Sequence, residues 1–145
     1  MKTTDNPIVI SQTFHSSINK VWNAITNVDE MRLWFFDNIP SFKPEIGFET
    51  AFLVEVEDRK FTHCWEVIEV ELNRKISYTW SYSEYVGDAI VTFELIKQLN
   101  SVILQLSMIV TEDFSSDIPE FKKESCVAGW NYFLKDRLKT YLMES

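Results

Sequence analysis

Apolar residues recur along this chain with two different periods, and the switches between them lay out the fold. Ile8-Val9-Ile10 through Phe14 is a short β-branched run that predicts a first strand. Ser16 or Ser17 can cap the next segment, where Ile18, Val21, Trp22 and Ile25 fall at i, i+3, i+4 and i+7, the stripe of an amphipathic helix. Asp29 is placed to cap a second short helix through Met31, Leu33 and Trp34. Pro40 and Pro44 then punctuate a loop, and Gly47 opens the next element.

From Phe48 the period is two. Phe52, Val54 and Val56 alternate with Ala51, Leu53 and Glu55, and Asp58-Arg59 is the expected turn. Phe61 to Val70 predicts another strand, with both faces partly apolar, so its register stays open. Asn73-Arg74 turns the chain into Ile76, Tyr78 and Trp80, which alternate cleanly with Ser77, Thr79 and Ser81. A polar loop containing Gly87 leads to Ala89, Val91, Phe93 and Leu95. A hairpin near Leu99-Asn100 leads to Val102, Leu104, Leu106 and Met108.

The helical period returns at the end. Phe121 to Leu142 reads as one long helix, with Val127, Trp130, Leu134, Leu138, Tyr141 and Leu142 on its apolar side and Lys122, Lys123, Lys135, Asp136 and Lys139 on its wet side. Ser115, Ser116 or Asp117 can cap it, with Pro119 tolerated in the first turn. Gly129 in its interior costs roughly 1 kcal/mol against alanine, which predicts close approach of another backbone or a ligand. The order of strand, two helices, a run of antiparallel strands and one long helix gives an α+β fold in a single domain, residues 1–145. A curved antiparallel sheet is expected to grip the C-terminal helix, with helices on one face.

Composition narrows the function. At 46% hydrophobic the chain is too apolar for disorder, and five tryptophans with eleven phenylalanines exceed a minimal core, which suits an aromatic-lined cavity as well as a bulky interior. A net charge of −8 without any basic run argues against nucleic acid and anionic membranes as partners. Cys64 and Cys126 are far apart and in no ligand spacing, so reduced, buried thiols in a cytoplasmic protein are expected. The N-terminal residues lack a signal-peptide core, and no apolar run approaches the ~18 residues of a membrane span.

Candidate chemistry is sparse. His15 and His63 sit in no metal-ligand cluster, and the chain's three glycines form no phosphate-cradling loop, so neither metal nor cofactor is expected. His63 and Cys64, adjacent on a strand, point to opposite faces and do not form a nucleophilic pair. Glu66 and Glu69, three apart on that strand, are expected to face opposite ways. An inward carboxylate there would be a candidate general base, against the commoner exposed position.

Several segments carry a family resemblance: Phe14 with Val21-Trp22-Asn23-Ala24-Ile25-Thr26, Leu33-Trp34-Phe35, Pro44-Glu45-Ile46-Gly47-Phe48, Val67-Ile68-Glu69-Val70, Lys75-Ile76-Ser77-Tyr78-Thr79-Trp80 and Ala128-Gly129-Trp130. In this order and spacing the chain resembles the Hsp90-ATPase-activator-like family of the START/Bet v 1 helix-grip superfamily. It departs from the family where Gly47 precedes Phe48 rather than a second glycine, and where Met108-Ile109-Val110 lacks a common histidine. The resemblance implies a helix-grip fold, often with a cavity between sheet and helix. Its members bind hydrophobic small molecules, contact chaperones or act as cyclases.

The candidate ligand-binding residues are Trp34, Phe35, Phe52, Trp65, Tyr78, Trp80, Phe93, Trp130 and Leu134, with no catalytic residue assigned. Trp N–H and Tyr O–H groups would be the polar anchors. The same residues also fit plain core filling. The leading expectation is a non-enzymatic binder of a small hydrophobic molecule. The alternatives are a chaperone-cofactor-like interaction domain, monomeric or homodimeric, and a cyclase-type enzyme using a cavity carboxylate.

Overall fold

The computed structural model describes residues 1–144, so the last residue of the expected domain, Ser145, lies outside the described residues. Strand β1 (Ile8–Phe14) leads into helices α1 (Ile18–Thr26) and α2 (Val28–Trp34). Strands β2 (Glu49–Val56), β3 (Arg59–Glu71), β4 (Lys75–Tyr82), β5 (Tyr85–Lys97) and β6 (Val102–Glu112) come next. The chain ends in a 3₁₀ turn (Pro119–Phe121) and a continuous helix made of α3 (Lys123–Asn131), a π-helical segment (Tyr132–Leu138) and α4 (Lys139–Glu144). The architecture is the expected α+β helix grip.

The six strands form one antiparallel sheet in the order β1-β6-β5-β4-β3-β2, so every sequential hairpin from β2 to β6 is a neighbour pair and β1 closes on β6. Ser17 caps α1, its Oγ accepting from the Lys20 N–H at 3.3 Å. Asn27, rather than Asp29, caps α2. Only this residue separates the two helices, its backbone is extended, and its Oδ1 accepts from the Glu30 N–H at 3.2 Å. Asp29 lies within the first turn, where a carboxylate favours the helix dipole.

The turn after β2 centres on Glu57 and Asp58, with Glu57 at φ +57°, one residue before the expected pair. Gly87 lies inside β5 rather than in a loop, because Ser83 and Glu84 suffice to turn the chain. It sits at φ +123° with the Phe114 ring packed where a Cβ would project. On β3, Phe61, His63, Trp65 and Val67 face inward, which settles the open register. A bulge between Val67 and Glu69 then breaks the alternation. Glu66 and Glu69 therefore share the outer face: Glu66 is exposed, and Glu69 pairs with Ser77 and meets Lys75 Nζ at 3.3 Å.

The final helix begins without a side-chain cap, at Lys122. Ser115 and Asp117 instead make a local turn, the Ser115 Oγ accepting the Asp117 N–H at 3.4 Å. The Arg59 guanidinium grips Glu120 at 2.9 and 2.6 Å and fixes the helix approach to the start of β3. Buried residues on the helix fall at Trp130, Leu134, Leu138 and Leu142, a spacing of four. In a pure α-helix that spacing drifts by about 40° a step. The wider turns of the π segment cancel part of the drift and keep the stripe on the sheet. Val127 and Tyr141, expected on the buried face, are only half-buried. Gly129 meets no close approach, since nothing lies within 4 Å of where its Cβ would be.

An imidazole enters the core. His63 is 6% exposed, among the rings of Phe36, Phe52, Trp80 and Tyr82, with its Nδ1 3.1 Å from the Phe61 carbonyl. Burial lowers its pKa from 6.5 to about 4. Between those values the unfolded chain takes up a proton that the folded chain refuses, so stability falls as pH drops through this window. The expected loss from pH 7 to pH 4 is about 3 kcal/mol from this residue. Denaturant unfolding of His63→Phe should lack that component, and an unchanged pH profile would refute it. By the same measurement, Gly129→Ala should gain up to about 1 kcal/mol, since its Cβ meets open space. Gly87→Ala should lose stability, through both its φ and the Phe114 ring.

Candidate ligand site between sheet and helix

The concave face of the sheet presents rings from three adjacent strands. Phe52 on β2, Trp65 on β3 and Tyr78 and Trp80 on β4 point to the same side, continued by Phe93 on β5. Trp130 and Leu134 reach toward them from the last helix, and Trp34 and Phe35 enter from the end of α2. The structure thus brings all the candidate binding residues into one cluster, each no more than 5% exposed.

Within the cluster the rings touch one another. Phe35 stacks on Trp34 at 4.6 Å, lies 5.6 Å from Trp65 and 5.9 Å from Trp130, and meets Phe93 edge-on at 6.5 Å. Trp80 lies 5.1 Å from Trp65 and 5.3 Å from Trp130. Phe36, Phe42 and Phe133, which the sequence pattern did not single out, complete the packing. Phe133 meets Phe35 edge-on at 4.8 Å, and Phe36 lies 5.0 Å from both Phe52 and His63. The signal for Phe36 was its place beside Leu33-Trp34-Phe35, and for Phe42 its place between two prolines. Neither belongs to a periodic element, so neither had a predicted direction.

Polar groups in this interior fall into two sets. The Trp34 indole donates to the Ala24 carbonyl at 2.7 Å, and the Trp80 indole donates to the Tyr82 hydroxyl at 2.8 Å. These anchors are spent on the fold. Among the described residues, Trp65 Nε1, Tyr78 Oη and Thr50 Oγ1 are buried without a hydrogen-bond partner. Burial alone pushes the Tyr78 phenol well above its ordinary range, and burial also raises Tyr82, against the Trp80 hydrogen bond. Both stay protonated at any physiological pH, and His63 stays neutral.

Other expected chemistry falls outside the cluster. Cys64 is half-buried on the outer face, 3.3 Å from the Ser83 hydroxyl, while His63 points inward. Cys126 is also half-buried rather than fully buried, with its thiol 3.4 Å from Met108 Sδ and raised to about 11 by desolvation. A thiol so raised is a poor nucleophile. Among the described residues no three His, Cys, Asp or Glu side chains stand together to hold a metal ion. Outside the cluster, a groove of about 400 Å³ runs between β2 and the π segment, lined by Leu53, Val54, Asp37, Asn38, Tyr132 and Arg137, with Phe35 and Phe36 contributing to its wall.

The family described as Activator of Hsp90 ATPase homolog 1-like protein matches residues 15–143. No curated protein matches the sequence. Among solved structures, DynU16 from the dynemicin biosynthetic locus is 21% identical with a TM-score of 0.77, over 96% of this chain and 48% of that one, so this chain spans about half its length. MLL2253 from Mesorhizobium loti is 23% identical with a TM-score of 0.75, over 97% and 98% of the two chains. The Aha1 dimer from Colwellia psychrerythraea is 16% identical with a TM-score of 0.72, over 95% and 96%. Among the described residues no helix is long and apolar enough to cross a membrane. The match over residues 15–143, together with the order of elements and the gripped helix, makes this chain a member of the Activator of Hsp90 ATPase homolog 1-like family, with a helix-grip fold.

Proposed function

We propose that residues 1–145 form one cytoplasmic binding domain that holds a small hydrophobic molecule between the sheet and the C-terminal helix. The reading rests on one observation. Phe35 at the centre of the cluster and Phe36 at its edge belong to the connection between α2 and β2, and both also wall the groove beside β2 and the π segment. Phe35 is held at its backbone, where its N–H donates to the Met31 carbonyl at 2.7 Å and closes the last turn of α2, so the ring free to swing is that of Phe36. Loop motions of that kind are fast, on the order of nanoseconds to microseconds. Phe36 is only half-buried, so its ring leaves at lower cost than a core ring. An entering apolar molecule would replace ring contacts with its own, against Trp65, Trp80, Trp130 and Phe93.

The mouth has fixed posts on either side of the movable ring. Arg137 Nη2 donates to the Leu33 carbonyl at 2.8 Å, and Asn38 Nδ2 donates to the Leu53 carbonyl at 2.6 Å. The reading is one of binding rather than catalysis, since Glu66 and Glu69 both stand on the outer face and the inner face offers neutral groups. A second reading, contact with an Hsp90-type chaperone as monomer or homodimer, draws on the family description and on the Aha1 neighbour. An unchanged Hsp90 ATPase rate on addition of the purified domain would remove it.

Native against denaturing mass spectrometry of freshly purified protein should show a mass excess that disappears on unfolding. Titration with the neutral dye Nile red should give saturable binding, tightened about tenfold in Phe36→Ala because the displaced ring is gone. Bare chain mass together with non-saturable dye uptake in both proteins would defeat the proposal.

A further inference from the structure

Among the described residues, the other buried polar side chains have partners. The Thr26 hydroxyl donates to the Trp22 carbonyl at 2.7 Å, Ser77 and Thr92 share a hydrogen bond of 2.7 Å, and the His63 ring meets the Phe61 carbonyl. Against that background, the three residues that carry unpartnered atoms are neighbours on adjacent strands. Thr50 on β2 is the direct cross-strand partner of Trp65 on β3, and the Trp65 ring lies 4.9 Å from Tyr78 on β4. Phe42, from the loop between Pro40 and Pro44, roofs the corner edge-on, 6.2 Å from Trp65 and 5.7 Å from Tyr78. A buried donor without a partner has given up its hydrogen bond to water for nothing, so three together mark a place where a partner belongs.

We infer that this corner is the polar end of the interior site, with Tyr78 Oη, Trp65 Nε1 and Thr50 Oγ1 holding a neutral carbonyl oxygen of the bound molecule. The inference rests on the ligand-binding reading above and specifies its chemistry. An indole N–H only donates, while the two hydroxyls donate or accept, so the set suits an acceptor with two lone pairs. Among the described residues no lysine or arginine is buried, so nothing there offsets an ionised carboxylate or phosphate. The walls beyond the corner are the flat faces and edges of Trp80, Phe93 and Trp130, which suit a planar ring system. The chemical class is therefore a neutral, planar, largely apolar carbonyl compound.

A matched set of probes tests this: acetylnaphthalene, isopropenylnaphthalene, in which a methylene replaces the oxygen, and naphthoate, which carries a charge. Calorimetric or tryptophan-quenching titration of the full chain should show acetylnaphthalene binding about tenfold more tightly than isopropenylnaphthalene, the size of a hydrogen-bond contribution. Naphthoate should fail to compete. Tyr78→Phe removes a single oxygen atom and should melt no lower than the parent, because that oxygen has no internal partner. It should reduce the preference for acetylnaphthalene over isopropenylnaphthalene, and Trp65→Phe should act in the same direction. Equal binding of the two neutral probes to the parent would overturn the polar corner and leave interior binding standing. Saturable binding of neither would overturn both, and a lower melting temperature for Tyr78→Phe would show that its hydroxyl is already satisfied.

Discussion

The ring of Phe35 is where the separate parts of this protein meet. It lies within 6.5 Å of rings from α2, from three strands and from the C-terminal helix, and Phe36 adds β2 to the set. Sheet and helix in this fold have no backbone hydrogen bonds between them, so their union depends on side-chain burial. Supplying the central ring from a connecting segment ties the two layers together through a part of the chain that belongs to neither. That arrangement holds the grip closed.

The rest of the inner face reflects this division of labour. Trp34 and Trp80 spend their indole donors on internal acceptors and so act as structural posts. Trp65 and Tyr78 keep theirs, in the corner farthest along β3 and β4 toward the bulge at Val67. That bulge also turns Glu69 outward, and among the described residues no carboxylate is buried. An interior of this neutral, aromatic, sparingly polar character is what the proposed uncharged ligand would meet.

Much of the candidate site was legible because its residues lie on strands. Phe52, Trp65, Tyr78, Trp80 and Phe93 occupy alternate positions, and once one face is buried, period two determines which residues share it. Trp130 and Leu134 were legible from helical spacing in the same way. Phe36 and Phe42 were not, because a loop has no period from which to read direction. The polar corner was hidden for a different reason. Which tryptophan has a spent donor depends on whether an acceptor such as the Ala24 carbonyl happens to lie within reach, and that is a matter of packing.

Local signals went wrong where they compete with long-range ones. Asp29 and the Ser115–Asp117 run both carry cap chemistry, yet the helix starts fell elsewhere because the connection between α1 and α2, and the Arg59–Glu120 clamp, set where each chain segment enters. Gly129 suggested a close approach that does not exist, and the real one is at Gly87 under Phe114. By itself the sequence determined the α+β class, the order of elements and the inward face of most strands, because hydrophobic periodicity is a local property written residue by residue. Only the tertiary structure decided the bulge that puts Glu69 on the same outer face as Glu66, the π segment that keeps the helix stripe aligned, and the two phenylalanines that fill the grip. Each of these reflects how distant segments share a fixed volume, which no single stretch of chain encodes.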